Sequence, residues 1–275
     1  MRLGPVLRLV RLPNLLIAAA GVLAGGWIAL EAMDLPNTLV LAALAAMAIG
    51  AVGNVWNDIR DVAADRVNRP ETRPLAAGQV RRGIADLIVF DGTLFALAFA
   101  GLVGGRQILV AAVALVVMFL YSPLLKPRLL AGNVTVAVLA GSPPFFGALA
   151  VDRPAAGIVP WILAAWLHLV REIVKDVEDE PGDRAIGRRT LPIVAGRRRA
   201  LVVAAVLALL FVPASLWLPK SAGYGGAYFV VALLAQMAVL IAATWLLLGR
   251  VERVSSLLKG AMVIGLLALV AGKVT

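Results

Sequence analysis

Apolar runs of about 17–25 residues follow one another along this chain almost without pause, and that is the length a helix needs to cross a bilayer core. Nine such runs lie at roughly 12–30, 36–56, 84–104, 106–122, 131–150, 157–175, 200–218, 225–248 and 257–273. They are separated by Pro36, Gly104-Gly105, a turn over 122–128, the polar residues 152–154, Pro219 and Arg250. A chain that is 61% hydrophobic with a mean hydropathy of +0.93 has no water-soluble surface to offer. The sequence therefore predicts an all-α, polytopic membrane bundle of nine transmembrane helices, with one domain over 1–275. The first apolar run follows Arg2, Arg8 and Arg11 and lacks a small-residue cleavage site, so no cleavable leader is expected.

Two long polar stretches interrupt the apolar pattern. The first, over 53–78, reads GNVWNDIRDVAADRVNRPETRPLAAG and carries Asp58, Asp61 and Asp65, spaced three and then four residues apart. On a helix those offsets place the three carboxylates on one stripe, with Asn54 on it and Asn57 beside it. Unpaired carboxylates on one face repel, so positive charge belongs between them; Arg66, Arg69 and Arg73 follow, and Pro74 is read as the helix stop. A second copy lies 118 residues downstream, where Asp176, Asp179 and Asp183 repeat the spacing and Glu172 and Lys175 replace Asn54 and Asn57. Two matches in register, each after an apolar span, mark an internal repeat. The motif-bearing segments are about 57–83 and 176–199.

Basic residues orient the spans. Arg2, Arg8, Arg11, the arginines between 60 and 82, Lys126, Arg128, the cations of 171–199 and Arg250, Arg253 and Lys259 fall on the amino-terminal side. The opposite side holds only Arg106, Arg153, Lys220 and Lys273, which predicts a cytoplasmic amino terminus and an outer carboxy terminus. Both acidic stretches then face the cytoplasm, after spans two and six. Spans one to four and five to eight form two halves of like orientation, a parallel repeat that brings the motifs face to face across a central cavity.

The chain contains no cysteine, which excludes disulfides, thiolate metal sites and cysteine nucleophiles. A net charge of +10 in so apolar a chain points to anionic lipid and an anionic substrate rather than nucleic acid. Facing carboxylate clusters without soft ligands suit a hard divalent cation such as Mg²⁺, which is usually completed by substrate phosphates. Neighbouring arginines supply bidentate donors for phosphate oxygens. Metal, arginine and an apolar vault together fit a lipid diphosphate; for an allylic one they would stabilise the departing diphosphate while closed apolar walls exclude water. Trp56, Phe119, Tyr121, Phe145, Phe146, Trp161 and Trp166 lie on spans expected to line the cavity.

The run Asn57-Asp58-x-x-Asp61-x-x-x-Asp65, the run Asp179-x-x-x-Asp183 and the nine spans resemble the UbiA superfamily of intramembrane prenyltransferases over essentially the whole chain. That resemblance implies Mg²⁺, for which Mn²⁺ may stand in, held by Asn57, Asp61, Asp65, Asp179 and Asp183, with Asp58 and Asp176 close by. It implies diphosphate contacts from Arg66, Arg69 and Arg73, a substrate contact from Arg189, and catalytic roles for Asp61, Asp65, Asp179, Asp183, Tyr121 and Lys126. VREIVKDVEDEPGD followed by RTLPI looks most like the archaeal branch that prenylates geranylgeranylglyceryl phosphate to an ether lipid. Ile59, Arg60 and Val62 stand where that branch often has aromatics, and Pro181 interrupts its second motif. An aromatic acceptor such as 4-hydroxybenzoate is the alternative within the family. A secondary transporter is the alternative outside it, but a carrier's charges belong near mid-membrane. A CDP-alcohol phosphotransferase would need an Asp-Gly and Ala-Arg signature that is missing.

Other polar residues have simpler readings. Asp86 and Asp91 in span three are expected to face protein, Asp86 at the interface. His168, the only histidine, reads as a packed residue rather than a base. The arginines of 197–199 read as headgroup contacts, Trp217, Tyr224 and Tyr228 as interfacial anchors, and Gly21 and Gly25 as a close helix contact.

Overall fold

The computed structural model describes residues 3–31, 36–126 and 128–274; Arg2, counted above with the amino-terminal cations, lies outside them. Every regular element among the described residues is helical. A short helix α1 (Leu3–Val10) precedes α2 (Leu12–Leu30), α3 (Asn37–Asn68), α4 (Arg82–Val103) and α5 (Gly105–Leu120). A π-helical turn (Tyr121–Leu125) leads to α6 (Ala131–Gly141) and α7 (Pro143–Ala150). A 3₁₀ turn (Pro154–Gly157) leads into α8 (Ile158–Ala185), followed by the short α9 (Leu191–Ala195), α10 (Arg197–Ser221), α11 (Gly226–Leu247) and α12 (Val254–Ala271).

Eight helical stretches are long and apolar enough to cross a membrane, and the α6–α7 pair passes the same test only as a bent unit, which makes nine if the pair is one span. That span is not straight as the sequence suggested: it bends by 41° between its two halves. Pro143 and Pro144 open α7, and neither has an N–H to continue the α6 ladder. The broken end packs against α2 at very short range. A Cβ on Gly25 would overlap the Pro144 carbonyl, and one on Gly147 would overlap the Val22 carbonyl, so the close contact expected at Gly25 is made with α7.

The interior divides into an apolar cluster of α8, α10, α11 and α12 and another of α2, α3, α5 and α7. Large side chains on outward faces, among them Phe90, Leu94 and Phe95 of α4, are exposed as lipid-facing residues are. Tyr224 and Tyr228 are not the interfacial anchors the sequence suggested. They are buried edge to face, 5.6 Å apart, with the Tyr228 hydroxyl donating to the Ser215 carbonyl at 2.6 Å; Trp217 alone of the three is exposed.

Two helices are longer than a membrane is thick. At 1.5 Å per residue α3 spans about 48 Å and α8 about 42 Å, against a hydrocarbon core of about 30 Å. Both segments read as loops are therefore helical for their first part, as far as Asn68 and Ala185. Pro74 does not end α3; Pro70 does so earlier, forcing the residue before it, Arg69, out of helical geometry to φ −148°. Pro181 does not end α8, because the carbonyl it leaves unpaired, on Val177, is taken by Arg197 at 3.1 Å.

Candidate active site

The carboxy-terminal ends of α3 and α8 meet, and with them the two acidic motifs. Arg188, just beyond α8, bridges them: one guanidinium nitrogen donates to Asp183 at 2.7 Å and the other to Asp61. Asn68 ties the helices together a turn away, donating to the Asp179 carbonyl at 2.9 Å and accepting from the Gly182 N–H at 2.8 Å. A Cβ at Gly182 would stand 2.7 Å from the Ala64 carbonyl, so this approach needs glycine.

Each carboxylate of the first motif has its own counter-ion. Asp58 is gripped by Arg11 at 2.5 Å and approached by Arg73 at 3.4 Å; Arg73 also lies 3.4 Å from Asp65. Asp61 takes Lys126 as well as Arg188, while Asn57 donates to Asp61 at 2.8 Å and accepts from Lys126 at 3.2 Å. Lys126 arrives there because Pro123 has no N–H for the Phe119 carbonyl. The chain widens into the π-turn, closed by the Lys126 N–H to the Tyr121 carbonyl at 2.8 Å. That turn also sets the ammonium 6.0 Å from the centre of the Tyr121 ring.

In the second motif Arg69 lies 2.6 Å from Asp179, an ion pair not aligned as a hydrogen bond. Asn133 of α6 donates to Asp176 at 2.8 Å. Deeper along α8, Glu172 is buried and accepts from Arg171 at 3.2 Å and Lys175 at 3.1 Å. Arg66 and Arg189, expected to touch substrate, are exposed and stand outside this ion-pair network. Asp86 does not face protein: it is exposed and pairs with Arg82 at 2.8 Å at the start of α4. Of the aromatics, Trp56 and Phe119 meet edge to face at 5.3 Å beside the first motif, whereas Phe146 is buried in the α2–α3 cluster, away from both motifs.

Arg11, Asn68 and Asn133 were not singled out as site residues from the sequence, because their partners are 43 to 114 residues away and no local pattern announces them. Arg188 was read only as one of several cations left for an anionic acceptor; its place between the motifs rests on Asp61, 127 residues away.

The site is close to electrically neutral by itself. Asp58, Asp61, Asp65, Asp179 and Asp183 are answered by Arg11, Arg69, Arg73, Lys126 and Arg188, while Asp176 has Asn133 in place of a cation. Burial draws the Arg188 pKa down, but Asp61 and Asp183 more than offset this and hold it above its ordinary value, so it is a permanent cation. Among the described residues no three acidic or histidine side chains converge to cage a metal unaided. An oxygen-only set of one or two carboxylates from each motif is nevertheless what Mg²⁺ takes when phosphate oxygens and water complete its shell.

The sequence pattern of the UbiA prenyltransferase family matches residues 18–266. The chain belongs to this family. A relative from Thermococcus kodakarensis named digeranylgeranylglyceryl phosphate synthase is 35% identical over 255 residues, covering 92% of this chain and 90% of the relative. A solved structure of a digeranylgeranylglyceryl phosphate synthase is 28% identical with a TM-score of 0.77, covering 99% of this chain and 98% of its own. A UbiA homologue from Archaeoglobus fulgidus, solved with GPP and Mg²⁺, shares the fold at a TM-score of 0.70 and 18% identity, covering 98% of each chain. UbiA membership agrees with the nine-span all-α bundle and with acid-rich motifs at the ends of spans two and six.

Proposed function

We propose that this protein is a Mg²⁺-dependent intramembrane prenyltransferase, with Mn²⁺ able to substitute. It moves a geranylgeranyl group from its diphosphate to the free hydroxyl of geranylgeranylglyceryl phosphate. The observation that carries the reading is the union of both acidic motifs through Arg188, in a chain that matches the Thermococcus synthase over nearly its whole length. Charge supports the metal. A site whose carboxylates and cations already balance has nothing spare for a diphosphate of about three negative charges, so a divalent cation must enter with it.

Asn57, Asp61 and Asp65 with Asp179 and Asp183 would hold the ion. Bound there, Mg²⁺ supplies charge neutralisation for the leaving diphosphate. Arg69, Arg73 and Lys126 bind diphosphate oxygens, exchanging their present carboxylate partners for phosphate. Tyr121 turns its ring toward the same point, a face suited to the allylic cation. The bond from C1 to the diphosphate oxygen breaks, a bond from C1 to the acceptor hydroxyl oxygen forms, and that hydroxyl gives up its proton to the departing diphosphate. Apolar walls keep water from competing. The site opens toward the cytoplasm, in keeping with the basic loops and with Arg11, at the amino-terminal end, reaching Asp58.

The test offers the purified protein geranylgeranyl diphosphate with either geranylgeranylglyceryl phosphate or 4-hydroxybenzoate. An ether product is expected from the glycerol phosphate. Efficient ring prenylation with no ether would make the aromatic acceptor correct.

A further inference from the structure

One group of cations is not used by the motifs. Along α8 Arg171, Lys175, Asp179 and Asp183 follow at four-residue intervals, so one stripe carries two cations above two motif carboxylates. Arg171 and Lys175 share a single partner, the buried Glu172. The Arg171 Nε is buried without a hydrogen-bond partner among the described residues. Lys259 lies on α12, a helix that packs against both α2 and α8, and it is close enough to Arg171 and Lys175 for their charges to act on it. Arg11 is engaged by Asp58. What remains is three half-buried cations on α8 and α12, with Glu172 and, next along α8, Asp176 as the nearby carboxylates.

We infer that Arg171, Lys175 and Lys259 form an anion site for the phosphate monoester of the acceptor lipid, separate from the diphosphate site. The inference rests on the glycerol phosphate reading above and assigns it residues. This excess of positive charge fits a phosphate monoester, which carries about −1.5 to −2 at neutral pH. Like charges gathered in this way repel until an anion joins them or one gives up its proton, and the Arg171 Nε is a donor with no partner among the described residues. The spacing also fits: Lys175 stands one turn, about 6 Å, from Asp179. In a glycerol phosphate the reacting hydroxyl is one carbon removed from the phosphate-bearing carbon. A phosphate held at Lys175 therefore presents that hydroxyl toward the motif end of α8, and the acceptor's alkyl chain leaves between α2 and α12.

The test uses the full chain in detergent and the variants Arg171→Gln, Lys259→Gln and Lys259→Arg. Loss of one charge-assisted contact raises the KM for geranylgeranylglyceryl phosphate by about tenfold or more, while the KM for geranylgeranyl diphosphate stays within about twofold. Lys259→Arg recovers most of the loss. An unchanged acceptor KM, or an equal rise for both substrates, overturns the site. Should Arg171→Gln fail to fold, Lys259→Gln breaks no ion pair and carries the test alone. Binding of the glycerol phosphate ether is also measured without any diphosphate. Wild type that binds it about tenfold more tightly than Lys259→Gln but forms no ether overturns the proposed reaction and keeps the anion site. Ether formation with unchanged variants does the reverse, and if wild type neither binds nor reacts, both fall. Phosphatidate competing as well as the glycerol phosphate ether would make this a site for bulk anionic lipid and overturn the acceptor assignment.

Discussion

The side-chain amide of Asn68 clasps the backbone of α8 around Pro181, accepting the Gly182 N–H while donating to the carbonyl of Asp179. One neutral residue on α3 thus holds the backbone of the second motif where a proline has loosened it. The contact has no charge to be screened and no long side chain to order.

Removing it separates spacing from charge. Asn68→Ala removes both hydrogen bonds, and a loss of about 1–3 kcal/mol is expected. Gly182→Ala forces the helices apart and should lower turnover more than stability, with every carboxylate intact. Thermal unfolding in detergent alongside turnover checks both; wild-type activity in Gly182→Ala would show that motif spacing is not critical.

Arg188→Gln leaves Asp61 and Asp183 facing each other, with Lys126 as the only remaining cation on Asp61. Breaking a buried pair from one side typically costs about 3–5 kcal/mol. The variant should melt well below wild type, and adding Asp183→Asn should recover part of the difference. A melting temperature unchanged from wild type would mean the bridge adds nothing to the fold.

Turnover should require Mg²⁺ or Mn²⁺ and stop with EDTA. Asp61→Asn and Asp179→Asn should each lower it by at least about a hundredfold, since each motif contributes to one centre. Losses of only a few-fold in both, or full activity in metal-free buffer, would remove the metal from the site.

A single cysteine is easily introduced into a chain that has none. Arg66→Cys and Arg184→Cys, next to Asp65 and Asp183, should react with membrane-impermeant reagents only from the cytoplasmic face. Labelling from outside would reverse the orientation drawn from the basic loops.

Much of this was legible because local signals agreed with the global fold. Nine spans and two carboxylate stripes in register follow from hydropathy and helical spacing, and the stripes do meet. Three features were hidden for physical reasons. The break at Ser142 comes from Pro143 and Pro144, a signal that a hydropathy window averages away, and its seat against Gly25 of α2 is a packing fact that no window contains. The persistence of α8 through Pro181 depends on Arg197 reaching the Val177 carbonyl from the next long helix. The identity of each counter-ion depends on tertiary contact: Arg11 and Arg188 were the ones used, while Arg66 and Arg189, equally good in sequence, remain outside.

The internal pairing of Lys126 and Arg188 with Asp61 bears on how product departs. A catalyst that draws a multiply charged anion into an apolar setting risks keeping it, because stripping its partners there is costly. Here every cation that lets go of diphosphate has a carboxylate waiting within the same site. Release becomes an exchange of partners, with the vacated charges matched as the anion leaves. The resting network of ion pairs is then the return half of a cycle, and it favours emptying the site as much as filling it.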